Sequence, residues 1–239
     1  MRKLLTSLWL LVALPPCLAQ IPDATAQVLV VTTPEWTNIA GSAQRFERSG
    51  RGRFHKVGAP FAIVVGRTGM GWDQRLKDVG PASAPFKHEG DGRAPAGIFP
   101  LGAAFGYESS VATHLPYLAL NAAIECVDDA KSTQYNQLVD SHVTPKDWNS
   151  SEQMRRTDEL YHYGVVVAYN QPPVSGAGSC IFLHVWKSAD AGTDGCTAMD
   201  PAKILLLLSW FDPEKHPLLV QMPRAQYQQM RKPWALPAS

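Results

Sequence analysis

His184 and Cys196 stand twelve residues apart, the first near the end of an apolar run, "CIFLHVW", the second among small and polar residues in "GTDGCTAMD". Between them "KSADAGTDG" is rich in Gly and Asp, residues that let a chain turn back on itself. An imidazole and a thiol brought together in this way do nucleophilic chemistry. A free cysteine ionises near pH ~8.5, so little thiolate exists at neutral pH unless a base takes the proton or an imidazolium lowers that value. The backbone N–H groups of Asp194, Gly195 and Cys196 are expected to converge on one concavity, with Gly195 allowing a substrate close approach. Such donors would hold the oxyanion of an acyl-transfer intermediate. A helix beginning at Pro201 is expected to add positive potential nearby.

Other chemistry for the same residues is weaker. Cys196 packed in the core or bridged, and His184 as a core residue ending a strand, are the bland alternatives. His184, Asp194, Cys196 and His162 would make four zinc donors, but no C-x-x-C or H-E-x-x-H spacing supports a metal site, and no metal or cofactor is expected. His162, in "YHYG", reads as structural, and His55, His88, His114, His142 and His216 have no usable spacing.

The cysteine count depends on compartment. "MRKLLTSLWLLVALPPCLAQ" has a basic start, an apolar run broken by Pro15 and Pro16, and small residues around Ala19, the layout of a cleavable secretory signal over 1–19. The protein is therefore expected to be exported, periplasmic or extracellular, with no later segment apolar enough to cross a bilayer. Cleavage leaves Cys126, Cys180 and Cys196 in an oxidising compartment. Cys126 ends "YLALNAAIEC" and Cys180 begins "CIFLHVW", so these two strand-borne cysteines are the expected disulfide and Cys196 the free, presented thiol. With 22 Lys and Arg against 21 Asp and Glu, the net charge of +1 gives no electrostatic case for a nucleic-acid or anionic-membrane partner.

The elements that must position the pair are mostly strands. Nineteen prolines and 18 glycines favour a loop-rich, mainly β chain. "QVLVVTT" (27–33), "PFAIVVGRTG" (60–69), residues 115–126, "LYHYGVVVAYN" (160–170) and "SCIFLHVW" (179–186) read as strands. Residues 75–102 read as a long binding loop in which Asp91 and Arg93 pair over a cleft, and 127–158 as a surface excursion. "SSEQM" (150–154) reads as a capping box opening a short helix. One helix is clear, "DPAKILLLLSWFD", with Asp200 as N-cap and Pro201 in its first turn. Trp148, Trp186 and Trp210 read as core. The mature chain, 20–239, is expected to be one domain with its core over about 28–222 and a surface tail over 223–239.

"H…TDGCTAM" after an apolar strand resembles the catalytic signature of the L,D-transpeptidase catalytic-domain family: a His, a variable loop, then Ser/Thr–x–Gly–Cys. "GDGRAPAGIFPLG" (90–102) is similar to the family's upstream G-D-x-x-T-P-x-G-x-F segment, and the resemblance covers about 28–222. It implies a mostly β catalytic domain, a β-sandwich with long loops, acting on peptidoglycan stem peptides through a thioester acyl-enzyme. Cys196 would be the nucleophile, His184 its base, and Thr193, Asp194 and Gly195 the oxyanion- and substrate-binding approach. An amine acceptor gives transpeptidation, water gives carboxypeptidase or amidase activity, and a non-catalytic wall-binding domain of the same fold is the reading from another class. Val185 stands where the family has Gly, Asp194 where it often has His, and Ala198 where it usually has Arg, which marks a divergent branch.

Overall fold

A computed structural model describes residues 20–80 and 83–238, so the expected signal, 1–19, lies outside the described residues. Its elements are β1 Gln27–Thr33, β2 Ala40–Glu47, β3 His55–Val64, β4 Met70–Trp72, β5 Ala94–Gly106, β6 Tyr117–Ala119, β7 Ile124–Val127, β8 Leu138–Asp140 and β9 Ser151–Gln153. After these come β10 Tyr163–Val167, β11 Phe182–Val185, β12 Thr197–Met199, α1 Pro201–Trp210, β13 Leu218–Pro223 and α2 Arg224–Met230.

The fold is mainly β, as expected, and its main sheet is barrel-like. A ten-stranded sheet runs β10-β11-β12-β3-β2-β1-β13-β5-β4 with β6 also paired to β5, and β5 pairs with β10 as well, so the path closes into a barrel-like sheet. Closure joins the two sides of the ring and leaves only the short strands β4 and β6 at an edge. The most apolar segments, β1 and β13, lie parallel and side by side, every residue of β13 buried. Parallel strands covered on both faces need such near-continuous apolar runs.

The predicted helix forms as α1. The Asp200 carboxylate accepts from the Ala202 N–H at 2.9 Å, Pro201 occupies the first turn, and Ile204, Leu207 and Leu208 are buried against the sheet. A second helix, α2, stands where a surface tail is predicted. Tyr227, Met230, Trp234 and Leu236 are all buried, with Trp234 stacked on Trp72 at 5.7 Å between ring centres. The Tyr227 hydroxyl donates to the Pro237 carbonyl at 2.8 Å. Aromatic residues separated by polar ones carry no clear helical or strand period. Their burial depends on partners some 160 residues away in the chain.

Two loop readings are also corrected. Residues 94–102 of the predicted binding loop belong to β5, the longest strand, whose period is obscured by Pro95, Gly97 and Pro100. The 127–158 excursion contains β8 and β9, which flank β7 in a separate three-stranded sheet. Ser151 therefore opens a strand and not a capped helix; its hydroxyl donates to Glu125 at 2.5 Å, as the Trp148 indole does at 3.0 Å. The predicted disulfide, Cys126–Cys180, fastens this small sheet to the residues that enter β11. Trp148 is buried as read, while Trp186 and Trp210 are half-buried, Trp210 packing on the main core. Among the described residues no helix is long and apolar enough to cross a membrane.

Candidate active site

β11 and β12 are parallel neighbours with Leu183 opposite Thr197 and His184 opposite Ala198. Cys196, one residue before β12, therefore lies beside Phe182. Side chains alternate along a strand, so His184 and Cys196 share a face two positions apart. Both line a cavity of about 390 Å3. The sequence places these two residues together, and the structure does the same.

The thiol is less presented than its neighbours suggest. Cys196 is unbridged and only 6% exposed, recessed in the cavity wall. Its Sγ accepts from the Phe182 N–H at 3.3 Å and donates to the carbonyl of disulfide-bonded Cys180 at 3.4 Å. The disulfide thus holds the peptide that orients the thiol. His184 is 4% exposed, with Nδ1 2.7 Å from the Val185 carbonyl. A carbonyl only accepts, so Nδ1 carries the proton and Nε2 carries the lone pair. Tyr161 fixes the ring plane by packing edge-on at 5.1 Å. Sγ is hydrogen-bonded to the Cys180 carbonyl and the Phe182 N–H and not to His184.

The electrostatics correct one expectation. Burial pushes the Cys196 thiol well above its usual range, with the Glu152 carboxylate adding to the effect, while the Phe182 N–H, Lys87 and Arg156 pull it down. Burial also lowers His184 to about 4, against the opposing pull of the Val185 and Leu160 carbonyls. At neutral pH the resting pair is a neutral thiol and a neutral imidazole, not thiolate and imidazolium. His184 therefore puts no standing positive charge beside the thiol.

Thr193, Asp194 and Gly195 all line the cavity, but their roles differ from those expected. The Thr193 hydroxyl donates to the Cys196 carbonyl at 2.7 Å and accepts from the Gly195 N–H at 3.1 Å, so it clamps the turn, and the Gly195 donor is already engaged. Thr193 is itself pinned, its N–H to the Val65 carbonyl at 3.0 Å and its carbonyl to the Arg67 N–H at 2.7 Å. Asp194 is exposed and ion-paired with the Arg67 guanidinium. Gly195 has φ +153°, and a Cβ there would lie 3.1 Å from the Arg93 carbonyl, so the approach to the cysteine requires glycine on conformation and space together.

Ala198, fully buried opposite both His184 and Val64, has no room for the Arg that the resemblance expects. The cavity's cations come from other elements: Arg67, Lys87, Arg156 and Lys187. Its anions include Glu89, Asp128 and Glu152. Glu152 accepts from the Tyr161 hydroxyl at 2.5 Å, and burial raises its carboxyl above the usual range. Glu89 accepts from Ser179 at 2.6 Å and from Tyr135 at 2.5 Å. Sequence reasoning passed over these residues. "KHEGDGR" held a usable signal for Lys87 and Glu89, whereas Glu152 sat in a segment whose spacing resembled a helix cap.

Asp91 and Arg93 do not pair through their side chains. The Asp91 carboxylate accepts from Lys87 Nζ at 2.7 Å and from the His88 and Arg93 N–H groups, while the Arg93 guanidinium donates to the carbonyls of Thr68 and Met70. His162 lies off the cavity between Glu159 and Glu108, at 2.6 and 3.3 Å, consistent with its structural reading. The four zinc donors weighed above are therefore not gathered at one point, and no group of three or more His, Cys, Asp or Glu among the described residues is arranged to hold a metal ion. Compared with family models, curated proteins and solved structures, the chain has no match.

Proposed function

We propose that this chain is an exported cysteine acyltransferase of the L,D-transpeptidase type, with the corresponding catalytic-domain fold, acting on peptidoglycan stem peptides. The observation that carries this reading is the unbridged Cys196 on the same cavity wall as His184, whose tautomer leaves Nε2 free to accept a proton. A peptide carbonyl entering the cavity is attacked by Sγ as its proton passes to Nε2. The carbonyl π pair moves to oxygen and returns as the C–N bond breaks, and the departing amine takes the proton from His184. The product is a thioester on Cys196. An acceptor amine then attacks the thioester, giving its proton to Nε2; the C–S bond breaks as the new amide forms, and the leaving sulfur takes that proton from His184 to regenerate the thiol. Water in place of the amine gives trimming by the same route. Cations and carboxylates on one cavity suit a peptide that carries both carboxylate and ammonium groups.

The test is intact mass spectrometry after incubation with tetrapeptide muropeptides and, separately, with a carbapenem. The expected result is a covalent adduct on Cys196 that is absent from Cys196→Ala, a variant whose thermal unfolding should match the wild type. Released products distinguish amine from water as acceptor. A wild-type protein that binds muropeptides but never forms an adduct would instead be a non-catalytic wall-binding domain.

A further inference from the structure

Lys87 is the most deeply buried charge on the cavity. Its side chain is 2% exposed, yet it lines the same wall as Cys196. The stem passes between two glycines: a Cβ on Gly178 would lie 3.0 Å from its Cε, and one on Gly195 would lie 3.8 Å from its Nζ. The ammonium is therefore seated against the residue that immediately precedes the thiol. An ammonium has three N–H donors. One goes to the Asp91 carboxylate at 2.7 Å and one to the His88 carbonyl at 2.5 Å. The third has no protein acceptor among the described residues.

A buried ammonium is costly unless paired and hydrogen-bonded, and Asp91 offsets that cost without using every donor. The turn before Cys196 meanwhile has its Gly195 N–H committed to Thr193. The site thus lacks one backbone donor usual for an oxyanion and has a spare charged donor beside the same residue.

We propose that Lys87 is a catalytic residue whose third N–H binds the oxyanion formed when Cys196 attacks a carbonyl. This rests on the reading that Cys196 is acylated. As the carbonyl π pair moves onto oxygen, the charge develops next to an ammonium that is already in place and itself almost fully buried, where such a contact acts strongly. When the pair returns and the C–N bond breaks, the contact weakens and the thioester is released from it. The other charged groups facing this space are Glu89 from the same loop, Arg67 and Asp194 from the two flanking loops, Asp128 just after β7, Glu152 in β9, and Arg156 and Lys187, while Asp91 pairs with Lys87 itself. Lys87 differs from the other cations in combining near-complete burial with an unspent donor.

The experiment compares acylation of Cys196 by a carbapenem with its alkylation by iodoacetamide, a reaction that forms no oxyanion. Lys87→Gln retains two N–H donors for Asp91 and His88 but lacks the third and the charge; Lys87→Met serves as a second variant should Gln fold poorly. Acylation is expected to slow about 100-fold, the usual effect of deleting one oxyanion donor, while the maximal alkylation rate at high pH stays within about threefold of wild type. Acylation within twofold of wild type, or acylation and alkylation falling by the same factor, would overturn the proposal. Failure of the acyltransferase reading is a separate result: a wild-type protein alkylated at Cys196 but never acylated.

Discussion

Acidification forces a choice on His184 that the unfolded chain does not face. In the folded protein its imidazole titrates at about 4, against 6.5 for an unburied one, because protonation would place a charge in the buried wall behind the cavity. As pH falls from 7, the unfolded state takes up this proton first. Stability from keeping His184 neutral is therefore whole above about pH 6.5, declines through the window between 6.5 and 4, and is fully lost below it. The interval is worth about 3 kcal/mol at about 1.4 kcal/mol per pH unit, of which about 2 kcal/mol should be gone by pH 5. Glu152 titrates with the opposite sign, since its raised carboxyl takes a proton earlier in the folded state. The His184 contribution must therefore be read as a difference. Urea unfolding at pH 7, 6, 5 and 4.5 should show the wild type losing about 2 kcal/mol more than His184→Gln by pH 5, a relative midpoint shift of about 1 M. Parallel pH profiles for the two proteins would refute the assignment of a buried, neutral imidazole. The same state gives the proposed reaction a kinetic counterpart: with His184 neutral down to about pH 4, the acid limb of Cys196 acylation by the proposed route should lie well below pH 6.

Two further perturbations probe the scaffold. The Cys126–Cys180 bridge spans 54 residues. Loop-closure entropy for that span sets an upper value of about 4 kcal/mol. Cys126→Ser/Cys180→Ser should accordingly lower unfolding free energy by about 2–4 kcal/mol in chemical denaturation and slow acylation, because the Cys180 carbonyl orients the thiol; a change under about 0.5 kcal/mol would show that the bridge does not constrain the unfolded chain. Gly195→Ala should reduce acylation at least about tenfold and cost about 1–3 kcal/mol, since the new methyl meets the Arg93 carbonyl from a backbone angle that disfavours a side chain. Near-normal acylation in that variant would mean that the turn before Cys196 is not held as described.

Much of the chemistry was legible in the chain itself. The His184–Cys196 spacing, the disulfide partners and the Asp200–Pro201 helix start are local patterns. Each depends on neighbours within a few residues or on simple cysteine arithmetic, and such signals survive without a fold. What the sequence could not determine was the environment of those residues. Whether a thiol is presented or recessed depends on Cys180 and Phe182 packing against it. The charge state of His184 is a consequence of burial, a property of the assembled barrel and not of any segment. Closure of the sheet came from β5 meeting both β13 and β10, a pairing hidden by the prolines and glycines in its sequence. The C-terminal segment looked like a tail because the surfaces that bury Trp234 and Tyr227 come from distant strands. Lys87 and Glu152 reach the cavity from two separate excursions of the chain. Sequence determines which chemical groups are present; only long-range packing decides which of them share a space, how dry it is and therefore which protons they hold.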